Sequence, residues 1–376
     1  MNIRENVMAI LRYQPYDSLP VLHFGYWKET LDKWVAEGHL TKEQADGNCW
    51  YNRYDREISA LLGFDGNWGE CISGATALNP YFPPECVKEF SDGTCHVRNG
   101  NGVVVVQKPG VVSIPMEIAH TLTDRASWEE HYKWRYAYSD DRVNIASMKA
   151  VYDEYKQIDR PIGIHCGSLF GHIRDVMGVE GISYLYADDE DLYAEIINTI
   201  GDLCYRVTER ALKLSKETGM TFDYGHFWED ICYKNGPLVT PSVFDELVGP
   251  HYKKITTLLA GYGIDIVSLD CDGWIDALIP TWFENGVNTM FPIEVGTWEA
   301  NIAPWREKYG KELRGVGGMD KRVFAADYAA VDREIERLRS LVELGGYIPC
   351  PDHRIAPDAK WENVQYYCDR MHKVFG

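Results

Sequence analysis

The chain has 376 residues, of which 45% are apolar and 25% charged, a balance that supports a sizeable folded core. Its formal net charge of −19 and the lack of any Lys/Arg stripe argue against a nucleic-acid partner, which needs a clustered positive footprint. No apolar run approaches a membrane span, the first residues do not resemble a secretory leader, and ten dispersed cysteines suit free thiols, so a cytoplasmic location without membrane contact is expected.

In chain order, Val21–Phe24 reads as a first strand, and Leu62–Phe64, after a short helix, as a second. Residues 82–115, with the valine run at 103–106, read as a β-rich insertion. Pro161–His165 is a strand, and Leu192, Ile196, Ile197, Ile200, Leu203 and Val207 then recur at helical spacing. Next come a strand at Thr221–Tyr224, a helix opened by Pro241, and a strand at Asp265–Asp270. The alternation continues through a helix at Ala277–Glu284, a strand at Thr289–Ile293, a helix at Trp305–Tyr309 and a strand at Leu313–Val316. A helix over Asp332–Leu344 ends at Gly345-Gly346, followed by a strand at Tyr347–Cys350 and a helix over Trp361–Val374. Eight strand and helix units predict an α/β chain forming one (β/α)8 TIM barrel over residues 1–376, with N-terminal helices and the insertion.

Strand C-terminal ends form the functional face of such a barrel, so residues there are candidate site residues. His165 follows the third strand. The stretch after the fourth holds Asp223, His226, Glu229 and Lys234, which with His165 form a candidate catalytic set; the ordinary alternative is a solvated loop with a helix cap. Asp272, Glu294 and His353, with Asp270, Cys271 and Cys350 as alternates and Asp352 close by, are candidate metal ligands. One imidazole with two or three carboxylates can hold zinc and leave a position open. The alternative is a network of Asp320, Lys321 and Arg322 that only fixes the barrel rim. His23, Tyr26, Trp27, Phe64 and Trp68 are candidate substrate-binding residues, or else core packing beneath the N-terminal helices.

Gly317-Gly-Met-Asp-Lys321, the run Gly345 to His353 with Ala356-Pro-Asp358, the element from Pro237 to Pro250-His-Tyr-Lys, and the N-terminal Arg4-Glu-Asn with Ala9-Ile-Leu-Arg12 resemble the uroporphyrinogen decarboxylase-like barrels. That group includes cobalamin-linked methyltransferases. In the decarboxylase an arginine-containing motif follows the first strand and grips substrate carboxylates; here that place reads His23-Phe-Gly-Tyr26-Trp27-Lys28. The methyltransferase branch carries a His-x-Cys pair and a later Cys that hold zinc; here Asp270 and Asp272 stand for the pair, with Cys350 and His353 near the last ligand.

The resemblance therefore implies a methyltransferase that takes a methyl group from an O- or N-methylated small molecule and passes it to cobalamin on a separate corrinoid protein, assisted by zinc. The alternative is a cofactor-free decarboxylase of the uroporphyrinogen type in porphyrin metabolism, with Asp65 or Asp223 as proton donor. A non-catalytic ligand-binding barrel is the third reading. The fold group also allows a homodimer.

Overall fold

The computed structural model describes residues 1–110 and 115–376. Its strands are β1 (Leu22–His23), β2 (Gly66–Asn67), β3 (Cys71–Ile72), β4 (Glu85–Glu89), β5 (Cys95–Arg98), β6 (Val103–Gln107), β7 (Met116–His120), β8 (Gly163–His165), β9 (Tyr224–Trp228), β10 (Cys232–Tyr233), β11 (Gly236–Pro237), β12 (Ile266–Asp270), β13 (Thr289–Phe291), β14 (Arg314–Met319) and β15 (Tyr347–Pro351). Seven form one parallel sheet in the order β15-β14-β13-β12-β9-β8-β3, while β1 and β2 pair separately and in parallel. β2 and β3 lie three residues apart on one segment, bent where Gly69 takes φ +97°. Between β1 and β15 the ladder shrinks to a single parallel bridge, Tyr26 with Ile355, flanked by Ile355 N–H donating to Gly25 O (3.0 Å). Nine strands, with β2 and β3 on one segment, supply the eight strand positions expected, two of them displaced along the chain, but among the described residues they do not close as a continuous hydrogen-bonded barrel.

Burial explains the order of layers. Parallel strands covered on both sides must be apolar on both faces, and Tyr224, Phe227, Ile266, Val267, Leu269, Met290 and Phe291 are all buried. The helix Glu190–Glu217 turns Leu192, Ile196, Ile200, Leu203 and Val207 inward, and Asp189 caps it by accepting from Leu192 N–H at 2.9 Å. The residues 85–120 form a separate four-stranded antiparallel sheet, β4-β5-β6-β7; residues 111–114 of the expected insertion lie outside the described residues.

Two strands begin later than the sequence suggests, and both shifts matter for function. Leu62 ends the helix Arg53–Leu62 and Gly63 terminates it at φ 92°, so Phe64 and Asp65 precede β2. Asp65 accepts from Val21 N–H (2.8 Å) and faces His372 (2.9 Å) at the N-terminal end of the strands. Likewise β9 starts at Tyr224, which puts Asp223 before it. Its carboxylate takes two donors from Arg4 (2.9 and 3.0 Å) and the N–H of Ile162 (2.8 Å). Asp65 and Asp223 thus sit opposite the functional face, tying terminal segments to the sheet.

This assignment predicts that Asp223→Ala lowers unfolding stability by about 1.5–3 kcal/mol, because the hydrogen bonds lost involve charged groups. Denaturant titration measures the loss, and ligand binding at the other end of the strands is expected to stay unchanged.

Candidate active site at the strand C-terminal ends

Register brings the site together. Asp270 pairs with Trp228 on one side and Phe291 on the other, and His165 pairs with His226, so the ends of β8, β9, β12 and β13 share one rim. Beyond the rim, His353 Nε2 meets Asp272 Oδ2 at 3.2 Å, although the two are far apart in sequence. The His353 ring is set by Trp27, stacked at 5.5 Å, and by Phe24, edge-on at 5.3 Å. Asp272 Oδ1 is buried without a partner among the described residues.

The surroundings are rich in acid. Asp270 is buried, and that burial, followed by the charges of Asp272 and Asp230, pushes its carboxyl well above the usual carboxylate range. Glu294 is also pushed up by burial and by Asp272, while one oxygen accepts from Gly273 N–H and the other from Thr297 Oγ1 at 3.0 Å. Asp352 accepts from Gly296 N–H at 2.6 Å. Lys321, half-buried, carries a charge felt by Asp352 and Glu294, and burial pulls its ammonium down. Asp320 keeps the rim-fixing role, held by Arg322 at 2.7 and 2.8 Å.

His165 and His226 face each other with ring centroids 5.7 Å apart. Burial pulls His165 down to about 4, and burial with the neighbouring His165 pulls His226 down to about 3, so both are neutral near pH 7. His165 Nδ1 accepts from Gly167 N–H at 3.0 Å, whereas His226 Nδ1 has no partner among the described residues. A cleft of about 750 Å³ reaches His165 from the side of β3 and β8, lined also by Thr76, Asn79, Arg142 and Asn144.

Other candidates fall elsewhere. Glu229 is fully buried and accepts from the N–H groups of Leu169 (2.8 Å), Phe170 (2.9 Å) and Gly171 (2.7 Å), from Ser168 Oγ (3.2 Å) and from the Tyr252 hydroxyl. Four donors at the start of the helix Gly171–Asp188 and the Tyr252 hydroxyl saturate it, so it is an anchor and has no oxygen to spare for substrate. Lys234 is exposed at the turn of the β10–β11 hairpin. Cys271 is buried, accepts from Ile231 N–H at 3.4 Å and is pushed well above the ordinary thiol range by burial, as is Cys350, so neither is a ready thiolate.

Of the proposed substrate contacts, His23 bonds Ser59 Oγ (2.8 Å) and packs on Tyr26 and Phe64 at 4.9 Å each, with burial pulling it to about 4. Tyr26 continues onto Trp34, and Phe64 onto Tyr367. These three are packing between β1 and the helical layer, because alternation along β1 turns His23 away from the interior that Phe24 enters. Trp68 lies inside the ring of strands, stacked on Tyr224 at 4.8 Å with Nε1 donating to Ser268 Oγ at 3.3 Å. Only Trp27 reaches the mouth, through His353. Sequence reasoning passed over Trp50 and Arg354; Arg354 directly follows His353, and that adjacency was the available signal.

Carboxylates and imidazoles gathered at the C-terminal ends of parallel strands are an arrangement that α/β barrel-like enzymes use. The uroporphyrinogen decarboxylase (URO-D) family model matches residues 144–374, and the chain belongs to that family. Comparison with curated proteins gives no match. Among solved structures, a methyltransferase from Methanosarcina mazei is similar over 100% of this chain and 99% of its own, at 13% identity and a TM-score of 0.59, which shows a shared fold. A protein described as a vitamin-B12-independent methionine synthase from Listeria monocytogenes is 12% identical over 96% and 99% of the two chains, with a TM-score of 0.41.

Two outcomes are expected. Glu229→Ala destabilises the protein by at least about 3 kcal/mol, since it leaves several buried N–H and O–H donors without an acceptor at about 1–3 kcal/mol each, and thermal or denaturant unfolding reads this directly. The buried imidazoles bind protons only in the unfolded chain between pH 6.5 and about 4, so their contribution makes stability fall as pH falls through that window. The variant carrying His165→Asn and His226→Asn should therefore show a flatter acid limb than wild type in urea titrations across it.

Proposed function

We propose that the chain is a methyltransferase, transferring a methyl group from an O- or N-methylated small molecule to a corrinoid carried by a separate protein, with the eight strands working as one barrel domain. The observation that carries this reading is the Asp272–His353 contact, with a buried, unpartnered Asp272 oxygen beside it and Asp270 below. A methyl group leaves readily only if its heteroatom is polarised or protonated as the bond breaks. Asp270, whose carboxyl burial and neighbouring acids push well above the usual carboxylate range, is placed to donate a proton: the carbon–heteroatom bond breaks, the heteroatom keeps the electron pair and gains the proton, and the methyl passes to the acceptor.

Zinc fits the donor chemistry, since carboxylate oxygen and imidazole nitrogen are ligands it accepts, and the orphaned Asp272 oxygen asks for a cation. Asp272 and His353 would hold it, with Glu294 as the third candidate, although no three such side chains already converge among the described residues. When bound, it supplies Lewis-acid polarisation of the heteroatom. His353 is kept in position for this by Trp27 and Phe24, and Gly273 and Thr297 orient Glu294. The decarboxylase reading loses its proposed acids, because Asp65 and Asp223 lie at the other end of the strands.

Purified protein mixed with cob(I)alamin and a panel of O- and N-methylated compounds should form methylcobalamin, followed by its absorbance. Asp270→Asn and His353→Gln should each slow the transfer by roughly 10²–10⁴-fold. Formation of coproporphyrinogen from uroporphyrinogen, with no methyl transfer from any donor, would reverse the assignment.

A further inference from the structure

The bridge between Tyr26 and Ile355 has a chemical result as well as a structural one. By pairing the segment after β1 with the segment after β15, it brings Trp27 alongside Arg354. The guanidinium carbon of Arg354 lies 5.0 Å from the centre of the Trp27 ring and 4.8 Å from that of Trp50. Trp50 is braced edge-on by Phe24 at 5.6 Å, and Trp27 by His353. Contact with two indoles, each itself wedged in place, restricts the guanidinium and leaves the N–H donors along its edge to be matched.

Nothing among the described residues matches them. Among the described residues Arg354 forms no ion pair and no side-chain hydrogen bond; the carboxylates whose charge it feels most, Asp272 and Asp270, are not in contact with it. Two other arginines near the mouth have carboxylate partners: Arg174 pairs with Asp175 and Asp230, although its Nε stays unpartnered among the described residues, and Arg322 pairs with Asp320. A planar fork that is half-buried, oriented and unmatched one residue from His353 is suited to a planar anion in the same mouth.

We propose that Arg354 is the substrate's carboxylate anchor, so that the methyl donor is a small carboxylic acid bearing an O- or N-methyl group. The fork takes the carboxylate, and the methylated heteroatom falls toward Asp270, Asp272 and His353. A phosphorylated donor fits less well, because a dianion would face Asp272 and Glu294 in a chain of net charge −19, whereas a monoanion is balanced by the guanidinium of Arg354. The arginine motif absent after the first strand is thus replaced from the last strand, on the neighbouring segment. This assignment rests on the methyltransferase reading for the identity of the methyl group, but the carboxylate contact itself can be tested without it.

Equilibrium binding to the whole protein, followed by tryptophan fluorescence because Trp27 and Trp50 flank the site, would use two matched pairs and no corrinoid. These are 4-methoxybenzoate against 4-methoxybenzamide, and glycine betaine against choline. The acid of at least one pair should bind more tightly than its partner, and which pair responds reports whether the scaffold is aromatic or aliphatic. Arg354→Gln should weaken that acid by at least about tenfold while leaving the partner compound unaffected, and Arg354→Lys should fall between, keeping charge but losing the fork. Unchanged thermal unfolding of both variants shows that they fold. Equal binding within both pairs, no binding of either acid at about millimolar concentration, the range of weak small-ligand affinities, or full affinity in Arg354→Gln would overturn the proposal. Acid binding without methyl transfer would sink the methyltransferase reading and leave the anchor standing; transfer from donors without a carboxylate would do the reverse.

Discussion

Parallel pairing in fixed register is the constraint from which everything else at the site follows. A strand slipped by one residue turns each side chain to the opposite face. Here that would exchange His226, which faces His165, for Gly225 or Phe227, and Asp270 for Leu269 or Cys271. Because β8, β9, β12 and β13 run the same way and end together, the residues that follow them cannot avoid sharing a mouth. Glu229 holds that arrangement from behind: one carboxylate joins the end of β9 to the start of the helix Gly171–Asp188 and to Tyr252, so the rim is fixed by a buried polar network as well as by the sheet.

Crowding acids into this mouth has a cost, and the structure answers it in two ways. The Asp270 carboxyl is pushed well above the usual carboxylate range, which favours its neutral, proton-donating form. Lys321 and Arg354 are stationed nearby, one among Asp352 and Glu294, the other between two indoles. What remains is an uncompensated oxygen on Asp272 next to His353, which is where a cation or a polarised substrate atom would be most strongly stabilised. The neutral pair His165 and His226, a turn of the ring away, adds donor and acceptor capacity without further charge.

Much of the architecture was legible because period and length are robust signals. Alternation of short apolar runs with long amphipathic stretches located the sheet strands of the C-terminal half and the main helices between them to within a few residues, but gave no sign of the β10–β11 hairpin or the short helix Val295–Trp298. Function was less legible, and the reason is that a shift of two or three residues decides which end of a strand a side chain occupies. Asp223 looked like a strand-end acid until β9 proved to start after it, and Asp65 was displaced in the same manner by the Gly63 helix stop. Glu229 stands at the correct end, but no local pattern announces that three amides of a helix 58 to 60 residues away will consume it. His23, Tyr26 and Phe64 show the matching ambiguity for aromatics, since strand alternation alone separates core from mouth. Arg354 was visible in the sequence, yet its role needs Trp27 and Trp50, which only the Tyr26–Ile355 bridge and the loop before Arg53 bring to it.

The central claim is that Asp272 and His353 act as one unit on one reacting atom. A double-mutant cycle on the rate of methyl transfer, using Asp272→Asn, His353→Gln and the combination, tests it most directly. Loss in the double variant no greater than in the worse single variant is the result this account requires. Losses that multiply independently would mean that the two side chains serve separate purposes and that the shared centre does not exist.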